Sequence, residues 1–430
     1  MSFLTGQALF SAGEGFKNSV MKDLQADILI IGGGLAGLTL AAVLAESGAE
    51  VLIADREVPV SQLAEKYDGR TTAISYASHQ VLQAAGAWDL MRKDCEPILD
   101  IRVADGNAPL FLHFATDADA NGEPFGWIIE NRLLRRYLFE NLKRFDNVRH
   151  LAPVEIAKFF ETPGTAGVVL KDGRRLSAPL LVGADGRASP TRKWLGIDVA
   201  EWSYKQAAIV CNVAHERDHE NVAVEHFLPQ GPFAVLPMTR GPAGEYRSSV
   251  VWTVEEDQAA KFLKLAPEKF DAEMQRLFGE HLGRVRHVSK PMAYPLRLMH
   301  AKKYTGPRTV LMAEAAHVIH PIAGQGLNLS MRDIAVLSEI IVDRMKLGLD
   351  AGAAAPLMAY EHWRRTDTIL MAGFTDVLNR LFSNNLFSVA VMRGLGIGIV
   401  DKIPPLKAFF ARQAMGLGGK SPKILRQGRH

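Results

Sequence analysis

A chain of 430 residues is longer than one ordinary compact unit and accommodates two fused domains with an appendage. Apolar residues make up 48% and charged residues 23%, which excludes a disordered chain or a fibre. Fifty Lys and Arg against 47 Asp and Glu leave +3, too even a balance for a dedicated nucleic-acid binder. Only Cys95 and Cys211 are present, which excludes a disulfide scaffold and a four-cysteine zinc site and fits a reducing cytoplasm.

In chain order, residues 1–21 are polar and lack the basic-then-apolar pattern of a secretory signal, so they read as part of an N-terminal extension over residues 1–23. The first strong signal is Asp27-Ile28-Leu29-Ile30-Ile31, an apolar run of strand length, followed at once by Gly32-Gly33-Gly34-Leu35-Ala36-Gly37. Residues 38–47 are rich in Ala and Leu and end before Gly48, which predicts a helix; Glu50-Val51-Leu52-Ile53-Ala54-Asp55 predicts a second buried strand. Strand, tight turn, helix and strand within about 30 residues open a doubly wound α/β sheet.

Between residues 207 and 253 the pattern changes to short strand-like runs separated by Gly231-Pro232 and Gly241-Pro242-Ala243-Gly244. These predict an antiparallel sheet forming a second, inserted domain. Thr309-Val310-Leu311-Met312-Ala313 restores the buried-strand signature, so the first domain is assembled from separated segments. Residues 258–278 and 337–345 read as helices, as does most of the apolar tail beyond Ala351. The expected division is a first unit over 24–200, an inserted sheet over 201–290, a returning segment over 291–350 and a helical region over 351–430. No stretch reaches the ~18 uninterrupted apolar residues needed to span a bilayer; residues 386–400 come nearest and are broken by Arg393 and three glycines.

Four motifs carry chemistry. Gly32, Gly34 and Gly37 form G-x-G-x-x-G: the first permits the tight turn, the second admits a pyrophosphate to the backbone, and the third packs helix on strand. Asp55 closes the second strand and suits a ribose hydroxyl, although an incidental acid at a strand end is the plainer alternative. Arg70, in Asp68-Gly69-Arg70-Thr71-Thr72-Ala73-Ile74-Ser75, can pair with phosphate through its planar fork or lie solvated on the surface. Asp185, in Gly183-Ala184-Asp185-Gly186, reads in isolation as a solvated turn aspartate. The richest segment runs from Ala313 to Asn328. Glu314 follows a buried strand and can bind a sugar hydroxyl, Pro321 enforces a turn, and Gly324 and Gly326 let backbone N–H groups approach a flat ligand before a helix begins near Asn328.

With these motifs in hand, the sequence resembles the FAD-dependent aromatic hydroxylases of the p-hydroxybenzoate hydroxylase fold, most closely the branch acting in ubiquinone biosynthesis. GGGLAG at 32–37, DGRTTAIS at 68–75, GADG at 183–186, HPIAGQGLNLSMRD at 320–333, GPFAVLP at 231–237, LNRLFSN at 378–384 and AMGL at 414–417 carry the resemblance. It implies an α/β fold: an FAD-binding doubly wound Rossmann-type domain, an inserted antiparallel-sheet substrate domain and a C-terminal helical region. It also implies that Gly32, Gly34, Leu35, Ala36, Gly37 and Asp55 hold the ADP half of FAD and that Arg132 lies near the flavin. Asp185 then serves FAD and the nicotinamide cofactor and orients Arg70. Residues Pro321, Gly324, Gly326, Leu327 and Asn328 sit against the isoalloxazine ring. Ala313-Glu314 departs from the Gly-Asp or Gly-Asn usual there.

The implied activity is monooxygenation of a polyprenylated phenol with FAD, NAD(P)H and O2, in the cytoplasm and with peripheral contact at the inner membrane, within a multi-enzyme quinone-forming complex and without nucleic acid. Val224, Phe227, Phe233, Val235 and Pro237 are the candidate pocket lining. Rival readings are a prenyl reductase or halogenase on the same fold, or a flavin-holding scaffold; the W-x-W pair typical of many halogenases is absent. Glu314, His317 and His320, with Glu216 and His219, have E-x-x-H spacings of a metal site, but Pro321 and the glycine loop interrupt the helix such a site needs.

Overall fold

The computed structural model describes residues 23–63, 70–105, 111–116, 120, 122–228, 231–319, 325–382, 403–419 and 421–426. All but Asp23 of the expected extension, and residues 386–400, lie outside this set. The apolar run and glycine turn produce the predicted opening: strand Ile28–Ile31, helix Leu35–Glu46 and strand Val51–Ala54. Each strand is buried on both faces, as parallel strands covered on two sides require. They lie in a six-stranded sheet ordered Thr305–Gly306, Thr309–Leu311, Leu180–Gly183, Ile28–Ile31, Val51–Ala54 and Val148–Leu151. Every pairing is parallel except the first. Leu38, Leu40 and Leu44 of the first helix are fully buried on one side of this sheet, each burial contributing roughly 2 kcal/mol. A four-stranded sheet covers the other side through Val168, Leu170 and Leu176.

The inserted sheet has nine strands. Val199–His215 is its spine, paired antiparallel with Tyr246–Glu255 on one side and with Met292–Ala301 and Val285–His287 on the other. Gly231–Met238 and Val222–Leu228 continue it antiparallel, and Asp100–Asp105 joins through one parallel pairing. The chain therefore leaves this sheet at Ala301 and rejoins the six-stranded sheet at Thr305. The single helix predicted over 258–278 is two, Glu256–Phe262 and Pro267–Phe278: Pro267 holds Ala266 extended and starts the second helix. Both pack on one face of the large sheet, with Phe270, Met274 and Phe278 against Phe233, Val235, Val250 and Trp252.

Helix Gln325–Lys346 is longer at both ends than predicted, and helix Ala354–Phe382 crosses it. Their junction is a buried ionic network. Arg364 Nε donates to Asp333 Oδ1 at 2.6 Å and its Nη1 bonds Asp367, while Arg332 pairs with Asp367 at 3.1 Å. Asp333 Oδ2 also accepts from the Ala313 N–H at 2.9 Å and faces His317 Nε2 at 2.6 Å. Burial alone raises the pKa of Asp333, but the charges of His317 and Arg364 outweigh it and leave the carboxyl at about 2.

Removing one partner of such a network strands the other charge in the interior. Arg364→Met is expected to lower unfolding free energy by about 3–5 kcal/mol in denaturant titration. The folded Asp333 pKa lies below its unfolded value, so its contribution is complete above about pH 4 and is lost as pH falls toward 2. Asp333→Asn should flatten that part of the acid-unfolding profile.

Candidate cofactor and substrate site

The glycine turns meet at the carboxyl edge of the six-stranded sheet, where open α/β sheets bind ligands. Backbone hydrogen bonds join the strand ends in one row: Gly32 N to Ala54 O at 2.9 Å, Ala184 N to Ile31 O at 2.8 Å, and Met312 N to Gly183 O at 3.0 Å. Gly32 has φ +109, and a Cβ there would lie 2.4 Å from the Ala184 carbonyl oxygen. The first and third motifs are thus in backbone contact.

Helix Leu35–Glu46 begins in that row with no side-chain cap and no acid in its first turn. Its first N–H groups, including those of Leu35 and Ala36, have no intrahelical acceptor, and the helix dipole places positive charge there. The two remaining motif glycines differ. A Cβ on Gly37 would lie 2.0 Å from Gly32 O, whereas one on exposed Gly34 would meet nothing within 4 Å. Gly37 therefore serves packing, and Gly34 keeps a solvent-facing approach to the backbone open. Buried Asp55 accepts the Glu57 N–H at 3.1 Å. It lies beside the turn, 2.5 Å from where a Gly33 Cβ would stand. The same point is 2.9 Å from His150 Nε2, a buried nitrogen with no protein hydrogen-bond partner. Burial lowers the pKa of His150, opposed by Asp55, so a neutral imidazole and a carboxylate face one spot. Bare N–H groups, an open glycine, an acceptor pair and a missing Cβ fit the ADP half of FAD.

The other predicted residues divide into those facing the edge and those that build it. Asp185 belongs to the builders: Thr191 donates to its Oδ2 through N–H at 2.8 Å and hydroxyl at 2.7 Å, and Ser189 donates to Oδ1. Both its oxygens are engaged in its own turn. Arg70 is exposed, with its guanidinium 5.1 Å from the centre of the Tyr294 ring, and its carbonyl accepts the Asn131 N–H at 3.0 Å. Arg132, half-buried in the first turn of helix Asn131–Leu142, lies 4.0 Å from Glu130.

Asn328 is a clasp. Its Oδ1 accepts from Ser75 N–H at 3.0 Å and Ser78 hydroxyl at 2.7 Å, and its Nδ2 donates to Ala73 O at 2.9 Å. It ties the turn at the start of helix Gln325–Lys346 to strand Thr71–Ser75, and the 414–417 motif meets the helix that follows, Tyr76–Ala84, through Ala77 N donating to Met415 O at 2.9 Å. Gly326 is exposed beside it, with open space where a Cβ would be, and Leu327 packs on the core. Pro321 and Gly324 lie outside the described residues. Glu314 is exposed just past strand Thr309–Leu311, and Ala313 before it has φ +54.

Three side chains of this edge escaped sequence reasoning. Arg192, buried, donates to Ala315 O at 2.8 Å and Arg187 O at 2.7 Å, bracing the Asp185 turn against the Glu314 turn. Thr71 donates to Ser249 at 2.7 Å, joining strand Thr71–Ser75 to the large sheet. His150 is the third. None has a short-range signal, since each works through a partner tens of residues away.

The large sheet presents the face opposite its helices toward this edge. Of the expected lining, Phe233 and Val235 are corrected: they lie in the helix-covered core, and Val224 packs on it. Phe227 shares the other face, because strand alternation puts it with Ala223, Ala234 and Leu236. The metal alternative finds no geometric support among the described residues: His317 binds Asp333, Glu216 binds Arg284, and His219 Nε2 lies 3.0 Å from Met238 O. His320 is not among them.

The family described as FAD binding domain matches residues 25–366. The chain is 48% identical over 407 residues to the ubiquinone hydroxylase UbiL of Rhodospirillum rubrum, covering 94% of this chain and 93% of that protein. It is 32% identical to the ubiquinone hydroxylase UbiM of Neisseria meningitidis, covering 91% and 85%. The fold is similar to that of p-nitrophenol 4-monooxygenase PnpA from Pseudomonas putida, with a TM-score of 0.75, 17% identity, and coverage of 93% and 100%.

The two glycines give a paired test. Gly34→Ala is expected to fold within about 1 kcal/mol of the parent and to lose at least tenfold in FAD affinity by fluorescence titration. Gly37→Ala should instead lower the thermal midpoint of the apoprotein, because its Cβ meets a backbone oxygen.

Proposed function

The chain belongs to the FAD binding domain family, and from that membership we infer that it is a flavoprotein monooxygenase. It hydroxylates the aromatic ring of a polyprenylated phenol in ubiquinone biosynthesis, using FAD, NAD(P)H and O2. The observation that carries the reading is the row of glycine turns ending in a bare helix N-terminus, set opposite the apolar face of a large sheet.

Bound FAD supplies hydride acceptance and oxygen activation, the chemistry no side chain can perform. The protein's part is to bind, orient and exclude water. N–H groups of Leu35 and Ala36 hold phosphate charge, and Asp55 with His150 takes ribose hydroxyls. Asn328 fixes the turn at Gly326 and Leu327 so that its backbone can face the flavin ring. Arg70, beside Tyr294 of the large sheet, and Arg132, at the start of helix Asn131–Leu142, would supply positive charge to the flavin end of the cofactor. The sheet face, closed by Phe125, Ile128 and Met415, supplies the apolar enclosure for a prenylated ring.

No described helix is long and apolar enough to cross a membrane. Peripheral contact is nonetheless supported by exposed Ile369 and Leu370 on helix Ala354–Phe382, and by exposed Phe409 on helix Pro404–Ala414, which also carries Lys407 and Arg412. A quinone-forming complex is a partner of the same reading, since a lipid-like substrate favours direct transfer.

The test is turnover by the purified flavoprotein given a short-chain prenylated phenol. We expect phenol-stimulated NAD(P)H oxidation with a product heavier by one oxygen atom in mass spectrometry. Oxidation that yields only hydrogen peroxide at every phenol concentration, or no flavin reduction at all, contradicts the assignment.

A further inference from the structure

One carboxyl group on the enclosed sheet face stands outside everything described so far. Glu225 lies in strand Val222–Leu228, paired with Ala234 across one ladder and Val103 across the other, with no register shift. Strand alternation therefore puts it on the face of Ala223, Phe227 and Leu236, toward the cofactor edge, and not toward the helix-covered core. Glu225 is half-buried on that face. None of the described ion pairs or hydrogen bonds engages its carboxyl oxygens.

The charged groups of the packed elements are occupied elsewhere. Arg247 bonds Glu130 and the Thr239 carbonyl, Lys407 lies 5.8 Å over the Phe114 ring, and Arg102, paired with Val224, points to the opposite face. The side chain of Asp105, opposite Phe227, is not among those described. Burial alone, with no charged neighbour contributing, lifts the Glu225 carboxyl to about 7.

Position relative to the cofactor edge follows from the ladder. Ser249, which receives the Thr71 hydrogen bond, is opposite Leu236, and Glu225 lies two strands across and two residues along from it. Strand spacings make that separation about 12 Å between Cα atoms, room for one substituted ring between the FAD side and the carboxyl group. An unpaired acid in an apolar wall is costly unless a ligand completes it, and a phenol hydroxyl is the polar group its expected substrate brings.

We propose that Glu225 is a catalytic residue of this chain, accepting the hydrogen bond of the substrate's ring hydroxyl and taking its proton during hydroxylation. The substrate O–H bond breaks, a carboxyl O–H bond forms, and the electron pair left on the ring oxygen raises electron density at the ortho and para carbons. Once oxygen has been transferred, the hydroxylated carbon gives up its proton to solvent and the ring oxygen recovers its own from Glu225. The inference rests on the hydroxylase reading, which supplies the oxygen donor.

The experiment compares the holoenzyme with its Glu225→Gln and Glu225→Asp variants on a short-chain prenylated phenol and on its methyl ether. Glu225→Gln should keep flavin content and phenol-independent NAD(P)H oxidation, lose about 10²-fold or more in hydroxylation, and lose the rise of kcat/KM with pH through about 7. Glu225→Asp should retain that rise. In the wild-type protein, the phenol's binding advantage over its methyl ether should change through the same pH range. An unchanged product rate and pH profile in Glu225→Gln overturns the proposal. If that variant does not fold, a pH-independent advantage of phenol over ether in the wild type overturns it equally. Failure of the wild type to hydroxylate any phenol overturns the underlying reading instead, and the two failures are distinct.

Discussion

Parallel register is the constraint from which the site follows. Three strands separated by up to 280 residues end at one level because Ile31, Gly183 and Leu311 are aligned partners in adjacent ladders. Whatever follows each strand must turn at the same edge, and only there do three glycine-bearing segments converge. Burial of every strand on both faces makes that register rigid, since sliding a parallel strand would break its ladder and unpack two cores at once. At this edge the first helix presents an N-terminus that no side chain closes. An uncapped helix start forgoes about 1 kcal/mol, a cost that an anion bound there would offset, so stability and anion affinity are linked at this end.

The opposite border of the site is held differently. Helices Gln325–Lys346 and Ala354–Phe382 meet through Asp333, Arg364, Arg332 and Asp367, all with little or no exposure. Such networks contribute modestly to net stability relative to apolar packing, but they tolerate one arrangement only. One arm of the network, the Ala313 N–H on Asp333, fixes the turn bearing Glu314. Arg192 ties that turn to the Asp185 loop, and Asn328 ties the helix start to Ser75. The turns at the carboxyl edge are thus positioned by buried polar groups, while the large sheet is positioned by apolar packing and by Thr71 on Ser249.

What could be read in the sequence is what local pattern encodes. The strand, turn and helix at residues 28–46 are legible because an all-apolar run, a glycine triplet and an Ala/Leu-rich segment each have one economical conformation. The break at Pro267 was legible in principle and overridden by the helical pattern on both sides of it. Phe233 and Val235 illustrate a different limit: alternation shows that two faces exist but not which one a distant helix pair covers. Arg364, at 1% exposure, could not be foreseen, since a lone arginine in a helical pattern reads as solvated until Asp333, 31 residues away, is known to lie against it. Asp185 and Asn328 show a related limit. Sequence places them at the site, and only geometry shows that their side chains hold backbone turns.

The departure at Ala313-Glu314 brings these points together. Ala313 has φ +54, a conformation that glycine adopts freely and that costs an L-residue roughly 1–2 kcal/mol. A lone alanine there would relax toward an ordinary turn. It does not, because its N–H is anchored on fully buried Asp333, which Arg364 and His317 hold in turn, and the carbonyl of Ala315 is anchored on Arg192. Strain of this size persists where surrounding structure over-determines the backbone. The network therefore does the work that glycine does in the motif this segment resembles, and it leaves Glu314 exposed at the carboxyl edge beside the row of turns. The motif changes its letters, and the backbone path it encodes survives because the constraint has moved from the residue to its surroundings.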